Sequence, residues 1–444
     1  MVDEALPEGI VARLKELGAT LAVWAREHRG ATLGEHEQAV LARVRATLPT
    51  LLGEVVRLST PGLDGRHAPL REACPGCGIR AHTVGWRPRA ILTVCGPVGF
   101  ERPWYTCTAC QSGWSPADAV LAVTGRRRLS AGVQGWAVHL GAATDFREAA
   151  ELLRTLTGLA LAPETVRQHT EDAGAALAEA EAATAAETER TRAPVGTVDP
   201  APGVLLVETD GVQVRYQDGW HEVKLGLAAG CIGGEAVAPT YVAARADPTA
   251  FGPRLLAAAA RRGALDVVAW QGGLWEPALA VLRPVVVLGD GAPWIWNLAA
   301  EHFGDRIEIV DVFHAAEHIW ELANALHGRD SPDAAACAAT WRHTLIEEGA
   351  EVLLAAWHGM SAATPGAAES LRRTRNYFRT NADRMRYPIF RAQGLPIGSG
   401  PVESAGKHLV QARLKRPGAR WSDPGAAALL ALRAHRASTL PTAA

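Results

Sequence analysis

The stretches VLLVETDGV (residues 204–212) and PVVVLGDGAPWIWN (residues 284–297) decide how this chain reads. Each opens with a short β-branched apolar run, the pattern of a strand buried on both faces, and each delivers an aspartate followed by glycine to the strand's carboxyl end. Open α/β sheets place their ligands along that edge. Asp210 and Asp290 have 79 residues between them, room for two or three more strands and a helix, so both can belong to one sheet. A third acid, Glu403 in GSGPVESAGKH (398–408), opens a helical run after a Pro- and Gly-bearing turn. Two strand-end aspartates and a helix-borne glutamate can together hold two divalent cations.

The intervening sequence supplies the rest of an α/β layer. VQVRYQ, Asp218-Gly219 and WHEVKLGLA read as an antiparallel hairpin, with Asp218 a turn residue. APTYVAARA is a third strand, and Asp247 caps the helix PRLLAAAARRGA. ALDVVAW and PVVVLGD follow as strands, then a helix opening at Pro293, then a strand RIEIVDVF (306–313). Glu208 stands two residues before Asp210 and so shares its strand face, as an auxiliary ligand or as a paired structural carboxylate.

These segments resemble the DDE transposases of bacterial insertion sequences, specifically the Kra-type group, with a more distant likeness to Mutator-like transposases. The likeness is carried by ETDGV (208–212), GDGAPWIWN (289–297), DVFHAAEH (311–318) and IGSGPVESAGKHLVQARLKRPGARW (397–421), and it covers roughly residues 70 to 436. It implies an RNase H-like catalytic domain interrupted by an all-helical insertion, with Asp210, Asp290 and Glu403 as the acidic triad. It also implies an Asp-x-x-His, here Asp311 and His314, on the strand after the second aspartate. His314 either reaches the active site or is a hydrogen-bonded histidine under the sheet. The implied cofactor is a pair of Mg²⁺ ions, replaceable by Mn²⁺, which favour octahedral oxygen coordination. The implied reaction is nicking at transposon ends followed by strand transfer into target DNA. Synapsis of two ends implies at least a homodimer on DNA.

A second signal lies upstream. Cys74-Pro-Gly-Cys77 and Cys107-Thr-Ala-Cys110 are two C-x-x-C knuckles with 29 residues between them, and the spacer alternates like short strands. Four thiolates satisfy tetrahedral Zn²⁺, so the region reads as a zinc ribbon with an extended hairpin. His82 and Cys95 are fallback ligands. Seven cysteines in 444 residues without a signal peptide argue against a secreted disulfide framework. Next, SAGVQGWAVHLGAA, DFREAAELLRTLTG and PETVRQHTEDAG form three helices with a tight turn before the last, the helix-turn-helix pattern. Pro163 suits a first helical position, and Thr165, Arg167, Gln168 and His169 are the candidates for a DNA major groove.

A formal net charge of −2 conceals an uneven distribution: Leu371–Arg436 carries 14 Lys or Arg against three acids. Lys407, Arg413, Lys415, Arg416 and Arg420 surround Glu403 as candidate phosphate contacts, while Trp421 stacks on a base or sits in the core. Composition places boundaries at a helical region 1–65, the ribbon 66–125, the helix-turn-helix 126–175, a linker 176–203, the catalytic domain 204–318, its helical insertion 319–395, and a final helix with Glu403 at 396–436. No apolar run reaches membrane-span length, and the expected location is the cytoplasm, at the nucleoid. Two other functions fit parts of the chain: a zinc-containing, helix-turn-helix DNA-binding regulator, including a domesticated non-cutting copy, and a metal-dependent hydrolase of small phosphate esters.

Overall fold

A computed structural model describes residues 7–63, 70–125, 127–265 and 285–439. The expected strand ALDVVAW falls mostly on residues outside this set, as does Arg126. The chain divides into two compact units, residues 1–141 with 146–169, and residues 142–145 with 170–444.

The first unit begins with helices Glu8–Glu27 and Leu33–Ser59, the second opened by a capping box in which Thr32 and Glu35 satisfy each other's backbone amides. Four strands follow in antiparallel order: β1 (Arg71–Ala73), β2 (Arg80–Thr93), β3 (Gly96–Thr106) and β4 (Gly113–Trp114). Each C-x-x-C knuckle sits at a strand junction, Cys74–Cys77 between β1 and β2 and Cys107–Cys110 between β3 and β4. A buried Arg102–Asp118 ion pair at 2.6 Å ties β3 to the short helix Pro116–Val120. Helices Phe146–Thr157 and Pro163–Thr191 are joined by a turn at Gly158, whose φ of +80° is the left-handed value that ends helices. Ala149, Ala150 and Val166 pack with Ala137 of the preceding helix Ala131–Ala143. Pro163 is the first helical residue, as expected. The helix it opens continues to Thr191, straight through the 175/176 boundary that composition suggested.

The second unit is built on a five-stranded sheet of β5 (Val204–Tyr216), β6 (Gly219–Ile232), β7 (Glu235–Ala244), β8 (Val285–Gly289) and β9 (Arg306–Val310). Its order is β7-β6-β5-β8-β9; β5, β6 and β7 run antiparallel in sequence, and β8 and β9 run parallel to β5. The mixed α/β class is therefore as expected. β5 does not end at Asp210: its hairpin pairing with β6 persists to Tyr216–Gly219, and the turn falls on Gln217 and Asp218, one residue before the expected pair. Pairing with β8 stops at Glu208–Leu288, so Asp210 lies mid-strand on one side and at the open end of the parallel half on the other.

Helix Pro248–Arg261, capped by Asp247 as expected, covers one face; Leu255 and Phe251 fill the space that the missing side chain of Gly226 leaves on β6. The opposite face takes the segment from Gly400. There Gly406 lets the chain approach until a Cβ at that position would lie 3.4 Å from Val212 and 4.0 Å from Asp210 Oδ2. Between β9 and that segment the chain is helical (Val312–His327, Pro332–Glu347, Ala350–His358, Pro365–Asn381, Tyr387–Ala392), and Ile319, Leu322, Trp357 and Phe378 share one apolar core with β5 and β8.

The expected single helix over 396–436 is two. Gly400–Leu414, with a π-helical stretch over Gly406–Gln411, stops before Pro417-Gly418, where Gly418 takes φ +78°, and Asp423–Thr439 is separate. The latter packs so closely on Pro163–Thr191 that a Cβ at Gly174 would run into the carbonyl of Ala428. Gly174→Ala is expected to destabilise the protein by about 1–3 kcal/mol through overpacking, read as a lower urea midpoint at unchanged m-value.

Candidate metal and active site

The two aspartates are brought together by strand register. β5 and β8 pair in parallel from Leu205–Val285 to Glu208–Leu288, each residue facing the one 80 positions on, and Asp290 stands 80 positions after Asp210. The ladder ends at Glu208–Leu288, and continuing its register two residues aligns these two positions, whose charges interact; among the described residues, no three metal-binding side chains with donor atoms within 4.8 Å of one another include Asp210 or Asp290. Local bonds then fix each one. Gly211 N donates to Asp210 Oδ1 at 2.7 Å and Ala292 N to Asp290 Oδ1 at 2.8 Å. Tyr377, from the helical insertion, donates its hydroxyl to the Asp290 carbonyl at 2.8 Å, its ring filling the space a side chain at Gly291 would need.

Glu403 arrives on helix Gly400–Ala405, whose start is held by two other acids. The helix has no side-chain cap of its own. Instead Glu208, fully buried on β5, accepts from Val402 N at 2.9 Å, a bond across 194 residues that supplies a partner to an otherwise orphaned helix-start amide. Asp311, also fully buried, caps helix Val312–His327 through Phe313 N and His314 N and accepts from Ser399 N at 2.5 Å and from the Ser399 hydroxyl. That hydroxyl lies 3.2 Å from Glu403 Oε1. Glu208 thus makes a structural bond through one oxygen, while β9 ends at Val310 and places Asp311 and His314 at a helix start rather than on the strand. The alternating VDVF hid this boundary, because Asp311 turns the chain by capping it.

Five carboxyls gather here, and their electrostatics reflect it. Burial pushes the Glu208 carboxyl up to about 8, with Asp311 and Glu403 adding to the shift; its Oε1 has no hydrogen-bond partner. Burial also raises Asp210, opposed by the Gly211 amide and reinforced by the charges of Asp290 and Glu403. Burial works against ionisation of Asp311 as well, but hydrogen bonds from His314 and Ser399 hold it below the usual carboxylate range. His314 Nδ1 lies 3.8 Å from Asp311 Oδ1, and that partner raises the imidazole to about 9. Donor atoms of Asp311, His314 and Glu403 lie within 4.8 Å of one another. Carboxyls gathered this closely gain from a bound cation, which offsets their mutual repulsion.

The four cysteines also converge. Cys74 Sγ–Cys110 Sγ and Cys77 Sγ–Cys107 Sγ are each 3.5 Å apart, and all four sulfurs lie within 4.8 Å of one another. Tetrahedral thiolates on Zn²⁺ stand about 3.8 Å apart, so the cluster fits a structural zinc ion. Left-handed residues Gly78 (φ +76°) and Gln111 (φ +59°) close the two knuckles. Hydrogen bonding from Ser112 lowers the Cys110 thiol, whereas the neighbouring cysteines raise that of Cys77, so it is the geometry of the four sulfurs that points to a metal. His82 is paired with Arg71 at 2.9 Å, and neither it nor Cys95 joins the cluster.

The basic residues near Glu403 divide. Lys407, Lys415 and Arg420 are exposed, and Arg416 pairs with Asp145 at 2.5 Å. Arg413 corrects the sequence reading: it is 2% exposed with its guanidinium 5.1 Å from the centroid of buried Trp421, so it is a core cation rather than a surface contact. In the helix opened by Pro163, Gln168 is exposed, Thr165 and His169 are half-buried, and Arg167 is paired with Glu164 at 2.5 Å. The support from Ser399 and Tyr377 was missed in the sequence; neither residue stands in a pattern that announces it.

Three outcomes follow. Glu208→Ala, which leaves the Val402 amide unpaired, is expected to cost about 1–3 kcal/mol, whereas Glu208→Gln keeps the acceptor. A carboxyl whose folded pKa is raised from 4.5 to about 8 binds its proton more tightly when folded, so its stabilising contribution is full below 4.5 and is lost as pH rises toward 8. Denaturant titrations without added Mg²⁺ across that window are expected to show a decline in the wild type that Glu208→Gln lessens. Separately, Cys77→Ser or Cys107→Ser is expected to release zinc, counted by atomic emission, and to lower the thermal midpoint.

No curated protein matches the chain. Residues 82–227, about a third of its length and including Cys107, Cys110, Glu208 and Asp210, match an uncharacterised protein family (UPF0236).

Proposed function

We propose that this chain is the transposase of an insertion sequence, cutting and joining DNA through Asp210, Asp290 and Glu403. The observation that carries this reading is the parallel register that sets Asp210 beside Asp290, with the helix of Glu403 pressed on the same face. The sheet order, three antiparallel strands followed by two parallel to the first, supports an RNase H-like domain, and the helices between β9 and Glu403 correspond to its insertion. The cysteine cluster between paired strands supports a zinc ribbon, and the three helices from Ala131 support a helix-turn-helix.

Asp210, Asp290 and Glu403 offer only carboxylate oxygens, a hard donor set suited to Mg²⁺ or Mn²⁺. Bound magnesium would supply charge neutralisation at the phosphate and acidify an attacking water or 3′-hydroxyl. The protein contributes the positioning. Glu208 and the Asp311–Ser399 pair hold the helix of Glu403, Tyr377 holds the backbone of Asp290, and partly exposed His314 presents positive charge to a phosphate oxygen. Exposed Lys407, Lys415 and Arg420 supply salt-sensitive contacts to the DNA backbone. Recognition of terminal repeats falls to the residues before 175, and pairing of two ends calls for at least a dimer. No helix among the described residues is long and apolar enough to cross a membrane.

The test uses DNA carrying the inverted repeats that flank the gene. Wild-type protein is expected to nick it in Mg²⁺, while Asp210→Ala, Asp290→Ala and Glu403→Gln each lose cleavage but retain end binding. Continued cutting by any of the three removes that residue from the triad. Wild-type protein that binds ends and never nicks in Mg²⁺ or Mn²⁺ establishes the DNA-binding regulator instead, and activity confined to small phosphate esters establishes a hydrolase.

A further inference from the structure

We infer a second transition-metal site, formed by Glu189, Glu301 and His302 and suited to a divalent ion of borderline softness such as Zn²⁺. A ring nitrogen of His302 and one carboxylate oxygen from each glutamate lie within 4.8 Å of one another. The histidine has the marks of a ligand rather than of an ordinary core residue. It is 7% exposed, and its Nδ1 is enclosed with no hydrogen-bond partner, a costly state for a polar atom. Its Nε2 end abuts Gly252, where any side chain would collide with it, so the ring is held against that helix.

The backbone adds to the case. Glu189 lies in the last turn of helix Pro163–Thr191, and Glu301 and His302 close helix Pro293–His302, so two helix carboxyl ends, each carrying partial negative charge, meet here. Both glutamates are exposed, and neither side chain has a hydrogen bond or ion pair among the described residues. Arg192 takes the Glu301 carbonyl at 3.0 Å and leaves the carboxylates to the ion. One imidazole and two carboxylates form a mixed N/O set of three, which leaves a coordination position for water. The ion would clip the long helix to the helix that follows Asp290. This inference stands apart from the transposase reading, since it needs neither DNA nor the triad.

The full chain, equilibrated by dialysis against Zn²⁺ in excess Mg²⁺, tests it by zinc content per chain. Glu189→Gln/Glu301→Gln, a surface change that leaves His302 and the core in place, is expected to hold one zinc fewer than wild type and to lose part of the rise in thermal midpoint on zinc addition. Cys77→Ser is expected to lose a different zinc, so that the triple variant loses both. Equal zinc content in wild type and the double variant overturns the site.

Discussion

The pairing of β5 with β8 is the constraint on which the rest of the second unit depends. A parallel ladder fixes every residue of one strand against a residue of the other. Val285–Gly289 is buried throughout, so the pairing that aligns Asp210 with Asp290 is part of the core itself. The acids are therefore placed by packing rather than by attraction, since like charges do not assemble themselves.

Repulsion among those acids must be offset by the same structure. Burial disfavours the charged form of Glu208, and one of its oxygens is committed to Val402. Asp311 answers with hydrogen bonds from Ser399, Phe313 and His314, and His314 adds a positive charge. The remaining three acids, Asp210, Asp290 and Glu403, are half-buried and less fully neutralised by protein groups. The division separates carboxyls whose hydrogen bonds hold the backbone from carboxyls with fewer protein partners.

Much of this was legible in the sequence, for identifiable reasons. The strands of the second unit are marked by apolar runs of the right length, and the two cysteine knuckles by spacing that has few other uses. Glu208 was half legible: period two placed it on the face of Asp210, but only the fold shows the Val402 amide it serves. Arg413 was misread because an arginine in a basic run looks solvated, whereas Trp421 draws it into the core. Tyr377 left no trace, because a hydroxyl bonded to a carbonyl 87 residues away follows from the tertiary path of the helical insertion alone.

Anomalous diffraction from crystals of the full chain grown with Mn²⁺ tests the central claim most directly. Manganese peaks within coordinating distance of Asp210, Asp290 and Glu403 together are the predicted result. Ordered density for all three side chains with no metal among them, or with Glu403 directed away from the aspartates, would contradict the account.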